Sequence, residues 1–117
     1  MPITVYGIPN CGSVKNARTW LETHKLAYEF HDFKKAGLSK DIIAAWLKVV
    51  SWEILVNKKG TTWRGLSDAT KASITNAASA TLLMLENPSV IKRPVLCHGK
   101  TVLVGFDADI YQEQLRT

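Results

Sequence analysis

The spacing of hydrophobic positions changes from segment to segment and predicts the elements. Ile3-Thr4-Val5-Tyr6-Gly7 is β-branched and aromatic, the composition of a strand. Ile8-Pro9-Asn10-Cys11-Gly12 reads as a turn. From Ser13 the period lengthens. Val14, Ala17, Leu21 and His24 fall at i, i+3, i+7 and i+10, on one face of a helix that runs to about Lys25. Leu26 to Phe33 alternates again, which predicts a second strand centred on Ala27-Tyr28-Glu29-Phe30-His31. Strand, helix, strand over about 30 residues is a βαβ unit with parallel strands and a right-handed crossover.

The middle of the chain is helical in pattern. Ser39 is placed to cap a helix carrying Ile42, Ile43, Trp46, Leu47 and Val50. Asn57 to Gly65 is polar and turn-rich, hence a loop. Ser67 to Glu86 is rich in Ala, Leu, Ser and Thr and predicts two short helices broken near Thr75-Asn76, with Asn87-Pro88 as the stop. No segment here reads as a strand. Val95-Leu96-Cys97-His98, Gly99-Lys100 and Thr101-Val102-Leu103-Val104 then form a two-residue hairpin pattern. Asp107 is the expected cap of a last helix over Ala108 to Leu115. This order is the thioredoxin topology. The expected class is α/β, with a mixed sheet (βαβ then ββα) in one domain over 1–117 and an all-helical insertion at about 36–90.

Composition narrows the functions. A chain of 117 residues is one domain by length. With 46% hydrophobic and 21% charged residues it is neither disordered nor fibrous. No apolar run approaches the ~18 residues of a membrane helix. The first ten residues lack the basic-then-apolar pattern of a secretory signal, so the expected location is cytoplasmic. Lys and Arg number 15 against 10 Asp and Glu, a net charge of +5, which suits an anionic small molecule or an acidic partner surface. The basic residues are scattered, with no basic patch interleaved with aromatics. Direct nucleic-acid binding is not expected. The two cysteines and the dispersed His24, His31 and His98 do not make a zinc site of the usual kind, and no metal is expected.

The chemistry falls to Cys11. It lies between the first strand and the first helix, facing the unpaired N–H groups of the first turn and the positive end of the helix dipole. Both favour thiolate over thiol. Lys15, one turn further, adds positive charge. Asn10, Gly12 and Ser13 complete a loop in which Gly12 lets a ligand approach the backbone and the N–H cluster suits an oxyanion or a carboxylate. The competing reading of Cys11 is a small buried filler; its position favours reactivity. Cys97, in the middle of an apolar strand, reads as inert core. Redox folds of this topology place a cis-proline beside the cysteine, and Pro94 is the candidate. Cys97 then lies three residues further, roughly 10 Å along a strand, beyond the ~7 Å Cα separation of a disulfide. Position 14 is Val14, so Cys11 needs an external resolving thiol. Arg93 is placed to reach an anion held at the thiolate, against the alternative of a solvated loop arginine. Arg64 and Trp63 lie in the turn-rich loop, where Arg64 is a candidate carboxylate partner or an exposed side chain.

These segments resemble a known family. Val5-Tyr6-Gly7-Ile8-Pro9-Asn10-Cys11-Gly12-Ser13-Val14-Lys15-Asn16-Ala17-Arg18, then Asn57-Lys58-Lys59-Gly60-Thr61-Thr62-Trp63-Arg64, then Ile91-Lys92-Arg93-Pro94-Val95-Leu96 and Val104-Gly105-Phe106 are similar to the ArsC/Spx family, above all its YffB-type branch. The resemblance spans essentially the whole chain and implies a thioredoxin-like fold with a helical insertion. In the family's arsenate reductases the cysteine matched by Cys11 attacks arsenate, forms a mixed disulfide with glutathione and is recycled by glutaredoxin. Of their three oxyanion-binding arginines only one is matched, by Arg93. The other two positions align roughly with Asn57 and Gly105. Two charge-assisted partners of about 1.5–3 kcal/mol each are missing, so efficient arsenate reduction is not expected. The Spx branch binds RNA polymerase and senses redox state through a CxxC pair, whose second position here is Val14. A dithiol switch is therefore not expected, and polymerase binding stays open.

The resulting expectation is an ArsC-family thiol reductase with Cys11 as its single nucleophile, working through a glutathione mixed disulfide. Lys15 and the helix N-terminus activate Cys11. Arg93 binds the anionic substrate or a glutathione carboxylate, Pro94 shapes the groove, and Arg64 holds a second carboxylate. No cofactor is bound. Glutathione or another small thiol is the co-substrate, glutaredoxin a partner, and the substrate an anionic small molecule or a disulfide, with no membrane partner. The alternatives are a non-catalytic Spx-like adaptor that binds a protein, and arsenate reductase proper.

Overall fold

The computed structural model describes residues 2–115. Two compact units emerge, one built from 2–37 with 93–115 and the other from 38–92.

The first unit carries a four-stranded mixed sheet in the order β2-β1-β3-β4, with β1 Ile3–Gly7, β2 Tyr28–Asp32, β3 Val95–His98 and β4 Thr101–Val104. β1 pairs parallel with β2 and antiparallel with β3. β3 and β4 form the hairpin across Gly99-Lys100, where Gly99 adopts φ 61°. That left-handed conformation is one that glycine reaches without a Cβ clash. Helix α1 spans Gly12–Thr23 and buries Val14, Ala17 and Leu21, the apolar stripe of the sequence. His24 falls just past its end as the C-cap. Helix α7 spans Ala108–Leu115. Asp107 holds its first turn, its carboxylate accepting from the Asp109 and Ile110 amides at 2.9 and 3.2 Å.

Successive strand side chains point to opposite sheet faces. Ile3, Val5 and Leu96 share one face and form a single core with Ala17, Leu21, Tyr111 and Leu115. Each fully buried leucine contributes about 1.5–3 kcal/mol. The Tyr111 ring meets Trp20 and Phe106 edge-on, at centroid distances of 5.5 and 5.0 Å. Burial pushes the Tyr111 hydroxyl pKa well up. The opposite face carries Thr4, Tyr6, His31, Val95 and Cys97.

The second unit is helical: α2 Lys40–Leu47, α3 Trp52–Leu55, α4 Thr61–Arg64, α5 Asp68–Ser73, α6 Ala77–Glu86 and a 3₁₀ turn at Pro88–Val90. Ser39 caps α2, its hydroxyl accepting from the Ile42 amide at 3.2 Å, and Asn76 caps α6 with Ser79 in a capping box. The α5–α6 break falls where Thr75-Asn76 predicted it. The segment expected to be a loop over Asn57–Gly65 instead contains α4, a single helical turn too short for periodicity to reveal. The only β pairing described in this unit is one bridge, Val56 with Ile91. Helix α2 packs on α6, and Ile43, Trp46, Leu83 and Met84 are buried. No helix among the described residues is long and apolar enough to cross a membrane.

Candidate functional site

The site begins with how β1 hands the chain to α1. Gly7 ends β1 and is buried; an added Cβ would stand 2.8 Å from Val14 Cγ2. The missing side chain lets the first turn of α1 settle against the strand. Val14 fills that contact with its side chain, which leaves its amide N–H directed back at the preceding loop. Cys11 sits there as the N-cap residue in extended conformation, φ −99° and ψ 128°. Its carbonyl accepts the Lys15 amide at 3.0 Å, closing the first helical turn. Its sulfur is half-buried and faces the amides that no carbonyl satisfies.

The electrostatics follow from this placement. Burial alone raises the Cys11 pKa, as for any thiolate taken from water. The Val14 N–H, a hydrogen bond from the Arg93 side chain, the Ser13 N–H and the Arg93 charge oppose it. They win, and the thiol pKa falls below its ordinary value. Arg93 and the Val14 amide thus favour the Cys11 thiolate over the thiol. Lys15 stands exposed on the same turn; the groups acting on the sulfur are the two amides and Arg93.

Arg93 is positioned from the other end of the unit. The Arg93–Pro94 peptide bond is cis. Pro94 is buried, and its carbonyl accepts the Gly105 amide at 2.8 Å. Gly105 takes φ 81°, a left-handed conformation that an arginine would hold only under strain. This tie between the entrance of β3 and the exit of β4 was not foreseen, although a glycine directly after a strand signals such a turn. Asn10 and Gly12 are exposed beside the thiol, and a Cβ built on Gly12 meets nothing within 4 Å. The space next to the sulfur is open.

The structure therefore brings together Cys11, Asn10, Gly12, Ser13, Lys15, Arg93 and Pro94 in the first unit. Arg64 belongs to the second, where it ends α4 and its carbonyl accepts the Lys71 ammonium at 3.3 Å. Cys97 corrects an expectation. It is half-buried rather than core, because its side chain lies beside the half-buried Thr4 on the sheet face opposite Leu96. The Leu96 face holds the core with α1. Neither cysteine is in a disulfide. No cluster of three His, Cys, Asp or Glu among the described residues is placed to hold a metal.

Comparison with known proteins fits this geometry. A solved structure described as the YffB (PA3664) protein is 44% identical, superposes with a TM-score of 0.91, and covers 97% of this chain and 98% of its own. The solution structure of an arsenate reductase (ArsC) related protein from Brucella melitensis is also 44% identical, with a TM-score of 0.76 over 100% of this chain and 97% of that one. The global transcriptional regulator Spx of Streptococcus mutans is 26% identical over 92% of this chain and 78% of its own length. The chain is thus similar both to a protein described as related to arsenate reductase and to one described as a transcriptional regulator. The ArsC family pattern matches residues 6–114, from β1 to the last turn of α7, and the chain belongs to the ArsC family.

Proposed function

We propose that this ArsC-family protein is a monothiol reductase that works through a glutathione mixed disulfide. The observation that carries the reading is the Cys11 thiol, lowered in pKa by the Val14 and Ser13 amides and by Arg93 at an open helix N-terminus. In this reading the Cys11 thiolate attacks one sulfur of a disulfide substrate, forming a new S–S bond and expelling the other sulfur as thiolate. With a glutathionylated substrate the product is Cys11–S–S–glutathione. A second glutathione, or a glutaredoxin thiol, then attacks the glutathione sulfur and releases Cys11 as thiolate. The two electrons come from the external thiols. Arg93 holds the incoming anion or a glutathione carboxylate, Pro94 shapes the wall, and Asn10, Gly12 and Ser13 line the approach. Lys15 adds attraction for anions at the rim, and we place the reaction in the cytoplasm. Val14 supports a single-thiol cycle: it stands where a second CxxC cysteine would be, and its side chain is fully buried.

The test is oxidation of the reduced protein by glutathione disulfide, followed by intact mass and adduct mapping. One glutathione on Cys11, removed by glutaredoxin, is the expected result, with complete loss in Cys11→Ser. An internal Cys11–Cys97 disulfide would replace the monothiol cycle with a dithiol one. The likeness to Spx supports a second reading, a non-catalytic adaptor. Under that reading Cys11→Ser leaves partner binding intact and the wild type shows no thiol turnover. Arsenate reductase proper is the weaker alternative, since Arg93 alone matches the arginine set and Gly105 has the backbone of a glycine turn.

A further inference from the structure

The second unit carries a basic groove that the reductase reading does not use. The bridge Val56–Ile91 fixes its floor. The Asn57 amide donates to the Val90 carbonyl and the Lys92 amide to the Leu55 carbonyl, both at 2.8 Å. These bonds hold the turn after Val56 beside Lys92. That turn is itself closed, because the Asn57 carboxamide oxygen accepts from the Lys59 amide and the Asn57 carbonyl from the Gly60 amide, at 3.2 Å each. The result is a groove of about 300 Å³ lined by Glu53, Ile54, Asn57, Lys58, Lys59 and Lys92. Its lining carries three lysines and one glutamate.

Two further features give the groove character. Lys58 Nζ lies 5.5 Å from the ring centroids of both Trp52 and Trp63. A lysine whose ammonium lies near two indoles has less rotamer freedom to lose, so pairing it with an anion costs less entropy. Ile54, on the same groove, is 51% exposed. Sequence spacing hid this cluster. Trp52, Lys58 and Trp63 are six and five positions apart, and only the closed turn gathers them.

We propose that this groove docks an acidic segment of a protein partner. Carboxylates of the segment pair with Lys58, Lys59 and Lys92, and one apolar side chain covers Ile54. Trp52 and Trp63 are the aromatic anchors that such interfaces favour. Charge complementarity selects the occupant. A nucleic-acid backbone would bring phosphates against Glu53 and find no use for Ile54, whereas a peptide can offer its backbone N–H to Glu53 and a leucine to Ile54.

The test is an NMR titration of the labelled protein, read at the indole N–H signals. The probe is a short capped peptide of glutamates and leucines. Its controls are the same peptide with glutamines for glutamates, a single-stranded oligonucleotide of equal charge, and glutathione. The expected result is a saturable shift of the Trp52 and Trp63 signals with the glutamate peptide alone. Trp46, buried, and Trp20, in the other unit, stay in place. Added salt weakens the effect. Lys58→Glu with Lys59→Glu weakens binding at least about tenfold, since like charges now face each other. Both positions are exposed, and an unchanged Trp46 signal reports that the variant is folded. The same shift in Cys11→Ser separates this surface from the thiol chemistry. Absence of a saturable shift overturns the proposal. So does an equal or larger response to the oligonucleotide, which would make the groove a nucleic-acid surface, or to glutathione, which would make it a small-molecule site.

Discussion

The two cysteines have the same side chain and opposite circumstances, and the difference lies in the backbone around them. Cys97 sits within β3, where the ladders to β1 and β4 consume the strand's backbone donors. Its electrostatic coupling is to Tyr6, not to a helix N-terminus. Cys11 sits one residue before α1, where the Val14 and Ser13 amides have no helical partner and turn to the sulfur instead. Arg93 adds a charged donor that arrives from the far end of the sequence. The lowering of the Cys11 pKa belongs to a strand-to-helix junction, and in the proposed function the cysteine uses it.

Removal of Arg93 is the largest way to break that contrast short of removing the sulfur. Arg93→Ala deletes a hydrogen bond and a positive charge, leaving two amides against burial, and the Cys11 pKa rises. A charged hydrogen bond is worth about 1.5–3 kcal/mol, and the higher nucleophilicity of the remaining thiolate offsets part of that, so mixed-disulfide formation at neutral pH should slow several-fold. The sign in pH is definite. Cys11 is an acid whose pKa is lowered in the fold, so its alkylation rate declines as pH falls through that lowered value. The stability gained from the thiolate is present above the ordinary thiol pKa and is lost over the same fall. In Arg93→Ala both declines move to higher pH. Iodoacetamide rates across a pH series would show it, and an unmoved profile would remove Arg93 from the account.

Two glycines sharpen the contrast by position. Gly7→Ala drives a methyl group to 2.8 Å from Val14 Cγ2, so the first turn of α1 must shift. Overpacking of this kind costs about 1–3 kcal/mol, and it displaces the amide that supports the thiolate. The expected outcome is a lower midpoint in denaturant together with a raised Cys11 pKa. Gly12→Ala is the opposite case, because its new methyl meets nothing within 4 Å. Stability should stay within about 0.5 kcal/mol. Reaction with glutathione disulfide should slow several-fold while alkylation by a small reagent does not, because the methyl occupies ligand space. Equal rates with both reagents would mean that glutathione does not pass over Gly12.

Much of this was legible in the chain. Alternation and helical spacing marked β1, α1 and the β3–β4 hairpin, and with them the place of Cys11 at the N-terminus of α1. Pro94 beside the site was legible too, since a thioredoxin order calls for a proline there. The rest depends on contacts distant in sequence. The gap beneath Val14 at Gly7, the Pro94–Gly105 hydrogen bond and the Trp52–Lys58–Trp63 cluster exist only once separate segments meet, and no local period encodes them. Cys97 was misjudged for a related reason. An apolar strand has two faces, and the sequence alone did not show that Leu96 takes the face with α1 while Cys97 takes the less buried one.

The smallest expected effect tests the quiet half of the comparison. Cys97→Ala should leave glutathione addition at Cys11 within about twofold, because the Cys11 pKa is set by Val14, Ser13 and Arg93 and Cys97 lies on the other sheet face from the core that seats α1. Its stability cost should be about 1 kcal/mol, typical of a half-buried truncation. The change is not silent everywhere. The Tyr6 pKa is raised first by burial and then by the charge of a Cys97 thiolate. In Cys97→Ala the second cause disappears, so the Tyr6 pKa should move part of the way back toward that of a free tyrosine, with the burial share remaining. Tyrosine titration by NMR would read this directly. A Tyr6 shift with an unchanged Cys11 adduct is the expected pair of results. A Cys97→Ala protein that no longer accepts glutathione at Cys11 would mean that the two thiols act together, and the contrast between strand and junction would fail.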